Sequence, residues 1–114
     1  MIFYFDILFC IILLYMDNKI VVFFKPGCPY CKKAKGFLNS LNLPYKEISL
    51  NPSESNYEYK RDQLFNFYNH KSYPVIVINN QLVGGYSDLV YIYDTRKLHK
   101  LCSDIGLYLP INSS

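Results

Sequence analysis

Runs of apolar residues alternate with mixed polar and apolar stretches along most of the chain. The run KIVVFF, residues 19–24, is β-branched and aromatic, which predicts a strand buried on both faces. The next stretch, PYCKKAKGFLNSLN at residues 29–42, places apolar or small residues at helical spacing. Pro29 suits the first turn of that helix, where its missing N–H costs nothing, so Cys28 falls at the N-cap.

The same alternation continues to residue 106. PYKEISL at residues 44–50 and PVIVIN at residues 74–79 are predicted strands, and they flank an amphipathic helix over residues 53–70. QLVGG, residues 81–85, adds a short fourth strand after a turn at NNQ. A closing helical segment over residues 88–106 is capped by Ser87 or Asp88. The predicted order is β-α-β-α-β-β-α, and a chain of 114 residues is long enough for one such domain.

The first sixteen residues, MIFYFDILFCIILLYM, are almost entirely apolar. A helix of about fifteen residues reaches only ~22 Å, less than the ~30 Å hydrocarbon core of a bilayer, so a complete span is not expected. No Lys or Arg precedes Lys19, so the basic leader of a signal peptide is missing. We interpret residues 1–16 as an apolar extension. Three explanations for it stay open: translation from an upstream start codon, a membrane anchor and a signal sequence. The domain is predicted over residues 17–108, with a short tail at 109–114.

Composition and charge narrow the classes of partner. Hydrophobic residues make up 51% of the chain, which fits a packed globule rather than a disordered segment. The net charge of +3 comes largely from lysines near Cys28 and favours a local anion site over a nucleic-acid surface. We therefore expect no nucleic-acid partner.

The chain has four cysteines, and only Cys28 and Cys31 are close in sequence. A disulfide between these two would close a very small loop and would restrict the unfolded chain little. Zinc would need four ligands, and the remaining Cys and His residues form no second pair at ligand spacing, so we expect no metal. The pair is therefore predicted to be a reactive dithiol.

The predicted helix start distinguishes the two thiols. An ordinary thiol is mostly protonated at neutral pH, whereas the thiolate is the attacking species. First-turn N–H groups lower the pKa of a thiol at the N-cap, which is the position of Cys28. The nearby cations that would add to this effect are Lys25, Lys32, Lys33 and Lys35. Cys31, one turn inside the helix, is predicted to be the buried resolving thiol.

Three motifs together, CPYC after VVFFKPG, YPVIVINN and GGYSDL, resemble those of the dithiol glutaredoxins, over residues 19–101. The resemblance implies an α/β thioredoxin-like fold, with a four-stranded mixed sheet flanked by helices and a cis peptide before Pro74. It implies a glutathione-dependent thiol-disulfide oxidoreductase in which Cys28 and Cys31 are catalytic. Its substrates would be protein disulfides and glutathione mixed disulfides. A monomer in the cytoplasm is expected, with membrane contact only if the apolar extension is an anchor.

The resemblance also implies a site for glutathione, the co-substrate. The residues expected to line it are Lys25, Tyr30, Arg61, Tyr73, Pro74, Ser87 and Asp88. Ser87 and Asp88 would hold the γ-glutamyl end, and Tyr73 would pair through its backbone with the cysteinyl part. Lys25, with Arg61, would meet the glycyl carboxylate, beside an aromatic wall. Ser72 and Tyr73 replace the usual Thr-Val of the family, so the bulky Tyr73 would reshape the groove.

Other classes of function are consistent with parts of this pattern. A redoxin recharged directly by a thioredoxin-type reductase would lack the glutathione subsites, whereas Lys25, Ser87 and Asp88 are present. An iron-sulfur cluster-binding protein would use Cys28 and glutathione thiolates in a bridged dimer, and Pro29 disfavours this because it stiffens the motif. A binding module without turnover is disfavoured by the intact CPYC.

Overall fold

The computed structural model describes residues 20–110. Within that range it contains four strands and four helices. In chain order these are β1 Ile20–Phe24, α1 Pro29–Ser40, β2 Lys46–Ser49, α2 Tyr57–Tyr68, β3 Val75–Ile78, β4 Gln81–Gly84, α3 Tyr86–Asp94 and α4 Lys97–Asp104. The predicted apolar extension at 1–16 and residues 111–114 of the predicted tail lie outside the described residues.

The strands form one mixed sheet in the order β2-β1-β3-β4. β1 is parallel to β2 and antiparallel to β3, and β3 is antiparallel to β4. The two inner strands have the sequences IVVFF and VIVI, and their near-continuous apolar character is explained by burial on both faces. The predicted four-stranded mixed sheet is therefore confirmed.

Helices cover both faces of the sheet and bury two separate apolar cores. Ile20 and Val22 of β1 belong to the larger core, together with residues of α1, α3 and α4. Val21 and Phe23 point to the other face, where the smaller core includes Leu64 of α2. Successive residues of a strand face opposite sides, so β1 contributes to both cores at once. This arrangement is the thioredoxin-like fold that the resemblance implied.

The closing helical segment differs from the prediction, because it is two helices rather than one. Arg96, between α3 and α4, adopts a left-handed conformation with φ of 68°. Just before it, the side-chain hydroxyl of Thr95 donates to the carbonyl of Tyr91 at 2.9 Å, a local bond that bends and weakens a helix. Leu109, which follows α4, is buried in the larger core.

None of the helices in residues 20–110 combines the length and the apolar character needed to cross a membrane.

Candidate functional site

Cys28 lies where the central strand β1 passes into helix α1. Gly27 has φ of +82°, a left-handed conformation that glycine adopts without a steric cost, and the N–H of Cys28 donates to the carbonyl of Lys25 at 3.3 Å. Pro29 occupies the first turn of α1, and Cys28 is the N-cap residue. The predicted position of Cys28 is confirmed.

The structure joins Cys28 and Cys31 as a disulfide, with their Cα atoms 5.3 Å apart. The backbone N–H of Cys31 donates to the sulfur of Cys28 at 3.2 Å. Cys31 is only 2% exposed, whereas Cys28 is half-buried. Of the two sulfur-bearing residues, Cys28 is thus the one that a partner reaches, and it lies where helix N–H groups favour a thiolate.

A groove of 260 Å³ runs beside the start of α3, and we call it the α3 groove. Its lining residues are Tyr30, His70, Ser72, Tyr73, Pro74, Gly85, Tyr86, Ser87 and Asp88. Five of the residues predicted to bind glutathione are among them. The Tyr73–Pro74 peptide is cis, as the resemblance implied. His70 and Tyr86 were not predicted, although Tyr86 belongs to the GGYSDL motif.

The first turn of α3 begins earlier than the sequence indicated. Gly85 is the N-cap, and the carboxylate of Asp88 accepts a hydrogen bond from the N–H of Gly85 at 2.8 Å. The prediction that Ser87 or Asp88 is the cap was wrong, because both lie inside the first turn. Gly84 has φ of +121°, and a β-carbon there would overlap the carboxylate of Asp88. Gly84 therefore lets Asp88 fold back over the helix start.

Tyr73 is held between neighbouring side chains. Its hydroxyl lies 3.1 Å from that of Tyr57, and its ring centroid lies 5.1 Å from that of Phe65. Burial, and then the hydrogen bond with Tyr57, raise the pKa of the Tyr73 phenol above its ordinary value. The side chain that replaces the family's usual valine is therefore fixed as a neutral phenol in one wall of the α3 groove.

Lys25 and Arg61 are not among the residues lining the α3 groove, although both lie close to Tyr73 and its partner. The ammonium nitrogen of Lys25 lies 5.5 Å from the centre of the Tyr73 ring. Arg61 lies over the ring of Tyr57 at 5.5 Å and forms an ion pair with Asp62 at 2.9 Å. A hydrogen bond to Asp62 raises the pKa of Arg61.

The rings of Tyr30 and Tyr86 form an aromatic wall of the α3 groove. Their centroids are 6.3 Å apart at an interplanar angle of 30°. The ammonium of Lys33 lies 5.2 Å from the centre of the Tyr30 ring and 6.0 Å from that of Tyr86. The sequence predicted Tyr30 as a wall residue, but no local signal links it to Tyr86, which lies in another helix.

A second groove, of 620 Å³, borders the dithiol along helix α1, and we call it the α1 groove. Its lining residues are Phe24, Lys25, Pro26, Gly27, Cys28, Pro29, Cys31, Lys32, Lys35, Gly36, Asn39 and Tyr45. Both cysteines line it, and it shares no lining residue with the α3 groove. In residues 20–110, no group of three or more Cys, His, Asp or Glu side chains is placed to hold a metal ion.

The mixed four-stranded sheet, the CxxC pair at a helix start and the cis Tyr-Pro peptide define a dithiol protein of the thioredoxin-like fold. Comparison with known families makes this more specific, because the glutaredoxin family model matches residues 20–83. The chain belongs to the glutaredoxin family.

Relatives agree with this placement, and a solved structure has the same fold. The chain is 32% identical over 89 residues to Glutaredoxin-2 of Schizosaccharomyces pombe, an alignment that covers 78% of this chain and 80% of that protein. It is 32% identical over 84 residues to the mitochondrial Glutaredoxin-2 of Homo sapiens, covering 74% of this chain but only 47% of that protein. The chain thus spans about half the length of that relative. A buckwheat glutaredoxin-glutathione complex has the same fold, with a TM-score of 0.71, 24% identity and coverage of 79% and 81%.

Proposed function

We propose that the protein is a glutathione-dependent thiol-disulfide oxidoreductase that reduces protein disulfides and glutathione mixed disulfides. One observation carries the proposal: a half-buried cysteine at a helix start is paired with a second cysteine that is almost fully buried. The disulfide of such a pair can accept two electrons and two protons to become a dithiol. The dithiol gives them up again when the disulfide re-forms. The family supports this class of chemistry.

The reaction begins at the sulfur of Cys28. Its thiolate attacks one sulfur of the substrate disulfide, which forms a mixed disulfide and releases the first substrate thiol. Cys31 then attacks the sulfur of Cys28, which releases the second thiol and leaves the Cys28–Cys31 disulfide. Two glutathione molecules reverse that oxidation. The first forms a mixed disulfide with Cys28 and frees Cys31, and the second releases glutathione disulfide.

The helix start explains why Cys28 is the attacking residue. A favourable charge at a helix terminus gains at most about 2 kcal/mol, equivalent to about thirtyfold in the ratio of thiolate to thiol. The N–H of Cys31, already directed at the Cys28 sulfur at 3.2 Å, contributes to this stabilisation. A stabilised thiolate also makes Cys28 a good leaving group in the last step, when the second glutathione attacks the glutathione sulfur of the mixed disulfide.

The α3 groove is the proposed glutathione site. The first turn of α3 offers the hydroxyl of Ser87 and backbone N–H groups to the γ-glutamyl carboxylate, and Asp88 offers its charge to the ammonium. The backbone of Tyr73, beside Pro74, would pair with the cysteinyl part. Tyr30 forms one wall, and Lys25, over the ring of Tyr73, would meet the glycyl carboxylate. The buckwheat complex supports glutathione binding by this fold.

Cysteine variants test the roles of the two thiols. Cys28→Ser should abolish reduction of both substrate types, because the attacking sulfur is gone. Cys31→Ser should lose protein-disulfide reduction yet keep reduction of glutathione mixed disulfides, because a second glutathione resolves Cys28. Cys102→Ala is the matched control, since Cys102 is fully buried outside the site. Activity in Cys28→Ser would contradict the assignment.

Charge variants test the dependence on glutathione. Loss of one charge-assisted contact costs about 1.5–3 kcal/mol, so Lys25→Gln should raise the KM for glutathione about 10-fold or more. Asp88→Asn should raise the KM for glutathione by a similar factor, because it weakens the contact with the γ-glutamyl end. The side-chain oxygen of Asn can still accept a hydrogen bond from the N–H of Gly85. Each variant is assayed with glutathione and with a thioredoxin-type reductase as electron source. Unchanged glutathione kinetics with efficient recharging by the reductase would replace this proposal with the redoxin alternative.

A further inference from the structure

The α1 groove is formed largely by one face of helix α1, and the glutathione proposal leaves most of it unused. Cys28, Lys32 and Gly36 are spaced four residues apart, and residues at that spacing lie on the same face of a helix. From Cys28 to Asn39 this face is about 16 Å long, at 1.5 Å per residue. That length accommodates about five residues of an extended polypeptide.

The charge of the α1 groove is positive. Three lysines line it, and none of its described lining residues is Asp or Glu. Lys35 is balanced by an ion pair with Glu47 at 2.9 Å, and its ammonium lies 3.4 Å from the centre of the Phe24 ring. Neither Lys25 nor Lys32 forms an ion pair with any residue in the range 20–110. These two cations therefore give the groove a positive charge next to Cys28.

We propose that the α1 groove binds an extended segment of the protein substrate that carries an Asp or Glu two positions from the reacting cysteine. Lys32 lies four helical residues from Cys28, a rise of about 6 Å, and two extended residues span about the same distance. A carboxylate at that position meets the ammonium of Lys32 while the substrate sulfur is at Cys28. The α1 groove, at 620 Å³, has more than twice the volume of the α3 groove, at 260 Å³, and so has more room for a polypeptide. This inference rests on the proposed exchange of protein disulfides.

The experiment measures a single turnover without glutathione, so that it is independent of how the protein is recharged. The reduced protein is mixed with short peptides that contain an intramolecular disulfide, and formation of the Cys28–Cys31 disulfide is followed by quenched mass analysis. Matched peptides carry Asp, Asn or Lys two positions after or two positions before the attacked cysteine. In one of these two positions, the Asp peptide should react about fivefold faster than the Asn peptide, because a well-placed exposed ion pair has an effect of about that size.

Variants locate the effect in the groove. Lys32→Glu should reverse the preference, so that the Lys peptide reacts faster than the Asp peptide. Expressing each result as a ratio between peptides cancels any change in the reactivity of the Cys28 thiolate. Gly36→Leu should slow all peptides relative to a small symmetric disulfide, because Gly36 lines the groove and a β-carbon there lies in open space. Lys97→Glu, an exposed site outside the groove, is the matched charge control and should keep the Asp preference.

Salt dependence provides a measurement on the unaltered protein. The Asp preference should shrink toward equality as ionic strength rises above about 0.1 M, where the screening length is about 10 Å. Equal rates for the Asp, Asn and Lys peptides in both positions would overturn the inference. A preference that survives in Lys32→Glu would also overturn it, because the selective charge would then lie elsewhere. Failure of the proposed function is distinguishable, since it would abolish exchange with every peptide or abolish recharging by glutathione.

Discussion

The hydrogen bond between Tyr57 and Tyr73 connects helix α2 to the wall of the α3 groove. The two hydroxyls are 3.1 Å apart and partly buried, and both residues pack against the smaller core. A neutral hydrogen bond of this kind contributes about 1 kcal/mol to stability, and an unpaired hydroxyl left behind adds a further penalty. We predict that Tyr73→Phe and Tyr57→Phe each lower the free energy of unfolding by about 1 to 1.5 kcal/mol.

The double variant is the sharper test. Removing both hydroxyls leaves neither one unpaired, so the double variant should cost about as much as either single variant, rather than the sum. The expected coupling energy is therefore about 1 kcal/mol, and each single variant should lower Tm by about 4–8 °C per kcal/mol for a domain of this size.

The assay is urea unfolding of the reduced protein, followed by circular dichroism, for the parent and the three variants. The slopes of free energy against urea must agree for the comparison to hold. Additive costs in the double variant, or single costs below about 0.3 kcal/mol, would show that the hydroxyl contact does not hold Tyr73 in place.

Predictions for three further variants concern stability. Tyr68→Phe should raise the free energy of unfolding by about 1 kcal/mol at neutral pH, because the buried Tyr68 hydroxyl has no hydrogen-bond partner among the described residues. Burial also raises the pKa of Tyr68 from 10.0 to about 12, so ionisation of this phenol leaves the stability of the parent unchanged below pH 10 and lowers it as the pH rises to 12. Urea unfolding at several alkaline pH values should show a smaller decline for Tyr68→Phe than for the parent. Gly84→Ala should lower stability by about 1–3 kcal/mol, because its positive φ and the Asp88 carboxylate oppose a β-carbon. Gly36→Ala, an open helical site, should instead raise stability by about 0.5–1 kcal/mol, and equal effects at both glycines would refute the conformational argument.

Local patterns in the sequence were sufficient to predict most of the fold. The apolar runs at 19–24 and 74–79 identified the two inner strands, and Pro29 after Cys28 identified the start of α1, because each signal acts over a few residues. The break at Arg96 was missed, since a left-handed arginine carries no glycine-like signal and the apolar pattern continues across it.

The site was predictable where motifs specify it and not where distant side chains meet. CPYC, Tyr73-Pro74 and GGYSDL marked five residues that the α3 groove brings together. The stacking of Tyr30 on Tyr86 depends on how α1 and α3 pack, which no local pattern encodes. Arg61 was expected near glutathione, but its orientation depends on the ion pair with its neighbour Asp62.

The short link between the buried strand β1 and Cys28 has a consequence for how this protein can diversify. Three residues separate Phe24 from Cys28, so the reactive sulfur is anchored to an inner, buried strand of the sheet. The α1 groove, in contrast, is lined by exposed side chains such as Lys32 and Asn39, where substitutions usually change stability by less than about 0.5 kcal/mol. Mutations on the surface can therefore change which partner proteins are bound while the redox centre stays the same. Paralogues of such a protein would differ in their partner proteins before they differ in their chemistry.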